Sequence, residues 1–127
     1  MPRGGAVLVR QGSRRCYVPV SVARQVVPLS LISRVPNSSL GMTLVGGRVV
    51  SVIELGEPNT ALLVCDCAGE PVAVSGLYVE RVGLFELGER GAEVDGEWVP
   101  ELRLREVWGQ FGIRYALRDP RRGMETP

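Results

Sequence analysis

The stretch from Gly41 to Leu55, G-M-T-L-V-G-G-R-V-V-S-V-I-E-L, decides the fold class of this chain. Two alternating apolar runs flank the pair Gly46-Gly47, with apolar side chains at Met42, Leu44, Val50, Val52 and Leu55. A glycine pair between alternating runs is typical of a half-buried antiparallel hairpin with a tight primed turn. The pattern therefore predicts two paired strands whose alternate apolar residues face a core.

A second β unit follows directly. Apolar runs span Ala61 to Cys67 and Pro71 to Ser75, separated by turn residues at 68–70, and a further run spans Leu77 to Val82. Helical periodicity is almost absent before residue 100. Consecutive β units without intervening helices predict a small all-β barrel and argue against an α/β enzyme.

Shorter strands are expected on both sides of these units, giving eight or nine in all. On the N-terminal side they are Ala6 to Arg10, Arg15 to Val20 and Gln25 to Leu29, followed by a loop at 30–40 with a turn at 36–38. On the C-terminal side, residues 84–95 are rich in Gly and Glu and predict a connector. Residues 97–104 predict a last strand, paired back through a turn at Asp95-Gly96, and residues 105–111 predict a short helical turn.

Composition narrows the function classes. The chain has 127 residues, a net charge of +1 and no His, and its fifteen basic residues, all Arg, are scattered. Such a charge gives no long-range attraction to a polyanion, so no nucleic-acid partner is expected. Without His, the commonest general base and metal ligand is missing, and no enzymatic activity is expected. No apolar stretch has the length of a signal peptide or a membrane span, which predicts a cytoplasmic protein without membrane insertion.

The three cysteines, Cys16, Cys65 and Cys67, are expected to be buried apolar residues. Cys65 and Cys67 lie two apart on a predicted strand, so they share one face. A zinc site needs about four ligands, and the chain offers one further thiol and no imidazole. The sequence therefore predicts no metal and no cofactor.

The order of the segments resembles a known family. The pattern is carried by Y-V-P-V-S-V-A-R-Q-V-V at 17–27, G-R-V-V-S-V-I-E-L at 47–55, A-L-L-V-C-D-C-A-G-E-P-V-A-V at 61–74 and V-E-R-V at 79–82. The chain is similar over roughly residues 6–108 to the CheW-like domain family, which comprises coupling proteins of bacterial chemosensory systems and the regulatory domain of their CheA histidine kinases.

The resemblance implies an all-β fold of two small intertwined SH3-like β-barrels with a short C-terminal helical turn and no active site. It implies an adaptor that binds the cytoplasmic tip of a chemoreceptor and the regulatory domain of a CheA-type histidine kinase, with other CheW-like proteins as further partners, and recruitment to receptor arrays. The expected domain covers residues 6–117. Residues 1–5 are then an N-terminal extension, and the polar residues 118–127 a flexible tail.

Departures from the family pattern indicate where the partner surfaces differ. Where the family usually reads N-L-R-G, this chain has Leu44-Val45-Gly46-Gly47, so Gly46 replaces an Arg associated with receptor contact, and Gln25 replaces a usual acid. The segments 34–41 and 84–96 are also shortened. We therefore expect a divergent adaptor, of the kind that serves specialised motility pathways, with one or both partner interfaces altered. The residues expected to contact partners are Arg24, Gln25, Arg34, Gly46, Gly47, Arg48, Val50 and Ser51.

Alternative readings remain open from the residues alone. A generic SH3-like barrel that binds an extended or proline-rich peptide would need an aromatic-lined groove, and the chain has two Phe, two Trp and three Tyr. A small nucleic-acid-binding barrel would need Arg and aromatic residues interleaved on one face. The indoles of Trp98 and Trp108 are expected to pack in the core or to close it, since a buried indole contributes a large apolar area.

Overall fold

The computed structural model describes residues 3–29, 32–34, 40–57 and 61–110. This part of the chain forms eleven strands and one short helix, and none of it forms a helix long and apolar enough to cross a bilayer. The strands are β1 (Arg3–Gln11), β2 (Arg14–Pro19), β3 (Ala23–Pro28), β4 (Ser33–Arg34), β5 (Leu40–Val45), β6 (Arg48–Glu54), β7 (Ala61–Cys67), β8 (Glu70–Ser75), β9 (Tyr78–Gly88), β10 (Gly91–Val94) and β11 (Glu97–Val99), and the helix α1 covers 104–110.

Five strands curl into barrel 1, in the order β11-β10-β9-β1-β2, and every neighbouring pair is antiparallel. The segment after β11 meets β2 and closes the ring. The Tyr17 amide donates to the Pro100 carbonyl at 3.0 Å, and the Leu102 amide donates to the Tyr17 carbonyl at 2.9 Å. The interior is filled by buried side chains from all five strands: Ala6, Leu8, Tyr17, Phe85, Ala92, Val94 and Val99.

The other six strands form barrel 2, in the order β3-β7-β8-β6-β5-β4. Its β6 and β8 are parallel, and its other described pairs are antiparallel. Val50, Val52, Leu62 and Ala73 fill its interior. Val27 of β3 and Ile32 beside β4, at the two edges of the sheet, pack against the same cluster.

A third cluster lies between the barrels and joins them. Barrel 1 contributes Val7, Val9, Cys16 and Val18, and barrel 2 contributes residues such as Ile53, Leu63, Cys65 and Val74. Helix α1 adds Leu104, with Val107 and Trp108 packed against the cluster. Strands β1, β7 and β8 each carry four consecutive buried residues, because one of their faces lines a barrel and the other faces this shared core.

Several predictions about local structure are confirmed. Gly46 and Gly47 have φ of 56° and 79°, which a primed hairpin turn requires, and nothing lies within 4 Å of a Cβ built at either. The Asp95-Gly96 turn joins β10 to β11, with Val94 opposite Glu97. All three cysteines are buried and free, as expected for small apolar residues.

Other predictions are wrong. Residues 84–95 are not a connector, because β9 runs to Gly88 and pairs with β10 across a short turn. The last strand ends at Val99, since Pro100 has no amide proton to donate to a ladder, and Leu104 begins α1. Trp98 is 38% exposed, whereas Trp108 is half-buried as expected. Strand β1 begins three residues earlier than predicted, at Arg3. The predicted turn at 36–38 and the tail at 118–127 lie outside the described residues.

Candidate protein-binding surfaces

The structure distributes the predicted contact residues over both sides of barrel 2. Arg24 and Gln25 are exposed on β3, which is one edge of the sheet, whereas Gly46, Gly47 and Arg48 are exposed at the β5–β6 turn. Strands β7 and β8 separate β3 from β6.

Two further predicted residues lie on β6. Ser51 is half-buried there, but Val50 is 4% exposed inside barrel 2. The prediction that Val50 contacts a partner is therefore wrong, because its side chain belongs to the barrel interior. The backbone of Arg34 pairs with Gly41 in β4, and its side chain lies outside the described part of the structure.

The charge of Arg24 is already engaged at the surface. Its guanidinium lies 3.2 Å from the Asp66 carboxylate, which also accepts the Gly69 amide at 2.7 Å. These two hydrogen bonds, from Arg24 first, lower the pKa of Asp66. Exposed pairs of this kind contribute little, so a partner carboxylate could displace Asp66 at small cost.

A first exposed apolar surface lies on the β5–β6 hairpin; we call it the hairpin surface. Met42, Leu44 and Val49 are 43%, 60% and 68% exposed. Leu44 pairs with Val49 and Met42 with Ser51, so these side chains share the outer face of barrel 2. The prediction that Met42 and Leu44 face a core is wrong. Instead Thr43, which pairs with Val50, is buried in β5.

A second exposed apolar surface lies on barrel 1; we call it the β9 surface. Val82 and Leu84 are 62% and 64% exposed, and Val20 is 44% exposed. Leu84 pairs with Gly5, and a Cβ at Gly5 would lie 2.8 Å from the Val20 side chain. The missing side chain at Gly5 therefore leaves room for Val20 at the β1 position opposite Leu84. Sequence reasoning missed this surface, since the only signal was an alternation of Val82 and Leu84 within a segment predicted in part as a connector.

The carboxylate of Glu80 is not free for acid–base chemistry. Arg10 donates to one of its oxygens, and Arg15 donates to the other at 3.2 Å. The hydrogen bond from Arg10 is the main reason why the pKa of Glu80 is lowered, and Arg15 lowers it further. A carboxylate held ionised by two guanidinium groups is a structural group at the rim of barrel 1.

Comparison with solved structures identifies the architecture. The crystal structure of the scaffolding protein TtCheW from Thermoanaerobacter tengcongensis matches with a TM-score of 0.59 and 13% sequence identity. The match covers 68% of this chain and 64% of that one. The fold is CheW-like. No family model matches the sequence, and no curated protein matches it.

The CheW-like fold accounts for the arrangement of the two surfaces. Each barrel turns one face towards the shared core, and where the neighbouring barrel does not cover that face its apolar residues reach solvent. Val82 pairs with Val7 of the shared core, and Ser51 on the hairpin face pairs with Val72 of the same core. The hairpin surface and the β9 surface are thus outward continuations of the inter-barrel core, one on each barrel.

Proposed function

We propose that this protein is a non-catalytic scaffold that couples a chemoreceptor to a CheA-type histidine kinase in a chemosensory or motility pathway. One observation carries the proposal: a CheW-like fold with a separate exposed apolar surface on each of its two barrels. A coupling protein must hold two partners at once, and two surfaces on different barrels allow this. Other CheW-like proteins are a third class of partner, and recruitment from the cytoplasm to receptor arrays is part of the proposal.

The apolar character of both surfaces sets the expected strength of binding. Patches of three side chains suit contacts at the small end of protein interfaces, below about 1,200 Å². Such contacts give affinities on the order of micromolar, near −8 kcal/mol. Since apolar burial is not screened by ions, we expect the affinities to change little with salt.

The test measures binding of the protein to two purified fragments, a chemoreceptor cytoplasmic tip and a CheA-type regulatory domain from the same organism. Leu44→Ser removes an anchor of the hairpin surface, and Leu84→Ser removes an anchor of similar exposure, 60% against 64%, from the β9 surface. We expect each variant to lose one partner by tenfold or more and to keep the other. Absence of binding to every receptor and kinase of the organism would refute the proposal.

Gly46 offers a second test of the receptor contact. If the Arg of the family donates charge-assisted hydrogen bonds to the receptor, worth roughly 1.5–3 kcal/mol, this protein should bind a receptor tip about ten- to a hundredfold more weakly than a standard coupling protein. Gly46→Arg should recover part of that loss. The position has room for the side chain, although its φ of 56° costs a residue with a Cβ about 1 kcal/mol of stability.

Gly47→Arg is the matched control for that variant. Gly47 also has positive φ and open space, so it carries the same backbone cost while placing the guanidinium one residue away. Equal gains from Gly46→Arg and Gly47→Arg would mean that the added charge acts non-specifically. Wild-type affinity equal to that of a standard coupling protein would also contradict the argument.

A further inference from the structure

Strand β9 has a free edge along most of its length. On one side it pairs with β1 from Tyr78 to Glu86. On the other side it pairs with β10 at three positions, Glu86 to Gly88, and in the described part of the chain no strand pairs with that side between Tyr78 and Phe85. Strand β10 ends one residue beyond Glu93, at Val94, and pairs with β11 along its other side. The pairing of β9 with β10 therefore stops at Glu86, and the earlier main-chain donors and acceptors on this side of β9 have no ladder.

The space between β9 and the β10–β11 turn is a groove of about 560 Å³. Residues 82–85 of β9 line one wall and residues 94–96 at the β10–β11 turn line the other. A single ion pair spans it: Arg81 lies 3.4 Å from the Asp95 carboxylate, and its guanidinium carbon lies 5.4 Å from the centroid of the Phe85 ring. Both charged side chains of the pair are well exposed, so the pair is a weak barrier to anything that enters the groove.

Two carboxylates lie at the end of the groove where the strands meet, and Arg3 also lines the groove. Glu86 and Glu93 are direct cross-strand partners. Neither forms an ion pair with a basic side chain of the described chain. Arg3, which lies opposite Glu86 on β1, donates to the Leu84 carbonyl at 3.4 Å instead. Like charges opposite each other destabilise a sheet. The hydrogen bond that protonated Glu93 donates to the Glu86 carboxylate, followed by the charge of Glu86, raises the pKa of Glu93.

We propose that the groove binds an extended segment of a partner protein, which adds as a strand to the free edge of β9 and places an Arg or Lys side chain beside Glu86 and Glu93. A free edge supplies main-chain hydrogen bonds to an incoming strand. The exposed Val82 and Leu84 contact alternate side chains of that strand. The carboxylate pair selects a cation at one end, which fixes the direction of the segment.

The dimensions suit a short segment. The five residues from Arg81 to Phe85 extend over roughly 16 Å at about 3.3 Å per residue. They would therefore pair with about five residues of the partner. This inference goes beyond the coupling role, because it depends on the strand edge and its charges and holds whichever proteins supply the segment.

The test uses synthetic acetylated, amidated octapeptides of alternating Val and Thr, labelled with a fluorophore and carrying one Arg, Lys, Gln or Glu at each position in turn. Fluorescence anisotropy measures their binding to the full chain. We expect Arg and Lys peptides to bind at least tenfold more tightly than the Glu peptide at the favoured position. That preference should shrink as salt rises, since the carboxylates are exposed. Two further peptides carry N-methyl groups on alternate backbone amides, one on the odd-numbered and one on the even-numbered positions. We expect only one of the two to lose binding affinity, by tenfold or more, because an added strand uses one of its two edges.

Two variants and one control assign the site. The double variant Glu86→Arg, Glu93→Arg should reverse the preference, so that the Glu peptide binds best. Leu84→Ser should weaken the binding of every peptide, whereas the matched control Leu44→Ser on the other barrel should weaken the binding of none. Thermal unfolding of each variant establishes that it is folded, and the reversal of preference is a gain that an unfolded protein cannot give.

Several results would overturn the inference. They are no binding of any peptide at millimolar concentration, equal binding of Arg and Glu peptides, or equal binding of both N-methylated peptides. A concentration-dependent dimer in light scattering that Leu84→Ser abolishes would also do so, because a second copy of the chain would then occupy the edge. Failure of the peptides while receptor and kinase fragments still bind would remove only strand addition and leave the coupling role intact.

Discussion

Replacing Gly76 with Ala is expected to destabilise the protein far more than replacing Gly12 with Ala. Both glycines have positive φ, 86° and 64°, so both changes place a Cβ in the left-handed region at a cost of roughly 1–2 kcal/mol. The surroundings differ. A Cβ at Gly76 would lie 2.3 Å from the Gly56 nitrogen, whereas nothing lies within 4 Å of a Cβ at Gly12.

The contact at Gly76 is a crossing of two backbone segments, so it cannot relax by rotating a side chain. It follows directly on the parallel pair β6–β8, where Glu54 lies opposite Ser75 and the Leu55 amide donates to the Ser75 carbonyl at 3.0 Å. Leu77 and Leu55 on either side of the crossing pack into the inter-barrel cluster. Opening the crossing therefore disturbs the shared core as well as the ladder.

The expected magnitudes follow from these terms. For Gly12→Ala, the reduced freedom of the unfolded chain offsets about 0.4–1 kcal/mol of the backbone cost, which leaves a net loss of about 1 kcal/mol. Gly76→Ala adds about 1–3 kcal/mol for overpacking, which gives a total near 3 kcal/mol. A chain of this length loses roughly 3–5 °C in Tm per kcal/mol of lost stability. We therefore expect Gly12→Ala to lower Tm by roughly 3–5 °C and Gly76→Ala to lower it by roughly 10 °C or more.

Urea unfolding followed by far-UV circular dichroism measures both variants against the wild type, with thermal scans as a second readout. Equal losses of stability in the two variants would refute the reasoning, because the backbone crossing would then not be close in solution. A lower urea midpoint with an unchanged slope is the expected form of the result for Gly76→Ala.

Further predictions concern the core, one carboxyl pair and the thiols. Leu104→Ala should lower the free energy of unfolding by roughly 2.7–5 kcal/mol, because this side chain is 1% exposed and packs α1 against the inter-barrel cluster. The control Glu106→Ala, at an exposed position of the same helix, should change that free energy by no more than about 0.5 kcal/mol. Similar losses for both variants in urea unfolding would contradict the anchoring role of Leu104. The pKa of Glu93 is raised in the folded state, so its contribution to stability is fully present below the unfolded pKa and is lost as pH rises through the folded one. Glu93→Gln should therefore be more stable than wild type at pH 7 and lose this advantage below about pH 4, whereas an unchanged difference between the two pH values would show that the charge is not the cause. Burial, with a smaller effect of the Cys67 thiol, raises the pKa of Cys65 to about 12. A thiol reagent at pH 8 should therefore modify Cys65 slowly in the native protein and faster as denaturant is added. Rapid modification of the native protein would argue against the burial of Cys65.

One turn of the candidate site could be located from the sequence, but not the apolar side chains that form its surfaces. The glycine pair between two alternating runs predicted a hairpin turn at Gly46-Gly47, and both glycines and Arg48 are exposed there. The apolar side chains beside them were assigned to the wrong face, because alternation tells which residues share a side but not which side meets a core. On β5 the pairing with β6 determines which side chains face the interior. Thr43 lies opposite the buried Val50, so Leu44 points to solvent.

The sequence by itself determined the all-β class, the hairpin turns at Gly46-Gly47 and Asp95-Gly96, and the buried, unpaired cysteines. Each depends on local stereochemistry or composition, since a positive φ or an alternating run acts on neighbouring residues alone. Only the tertiary structure decided how the continuous apolar runs of β1 and β7 divide between a barrel interior and the shared core. It also decided where the pairing of β9 with β10 stops and which side of β5 faces solvent. These features depend on contacts between residues far apart in the chain, and no local pattern encodes them.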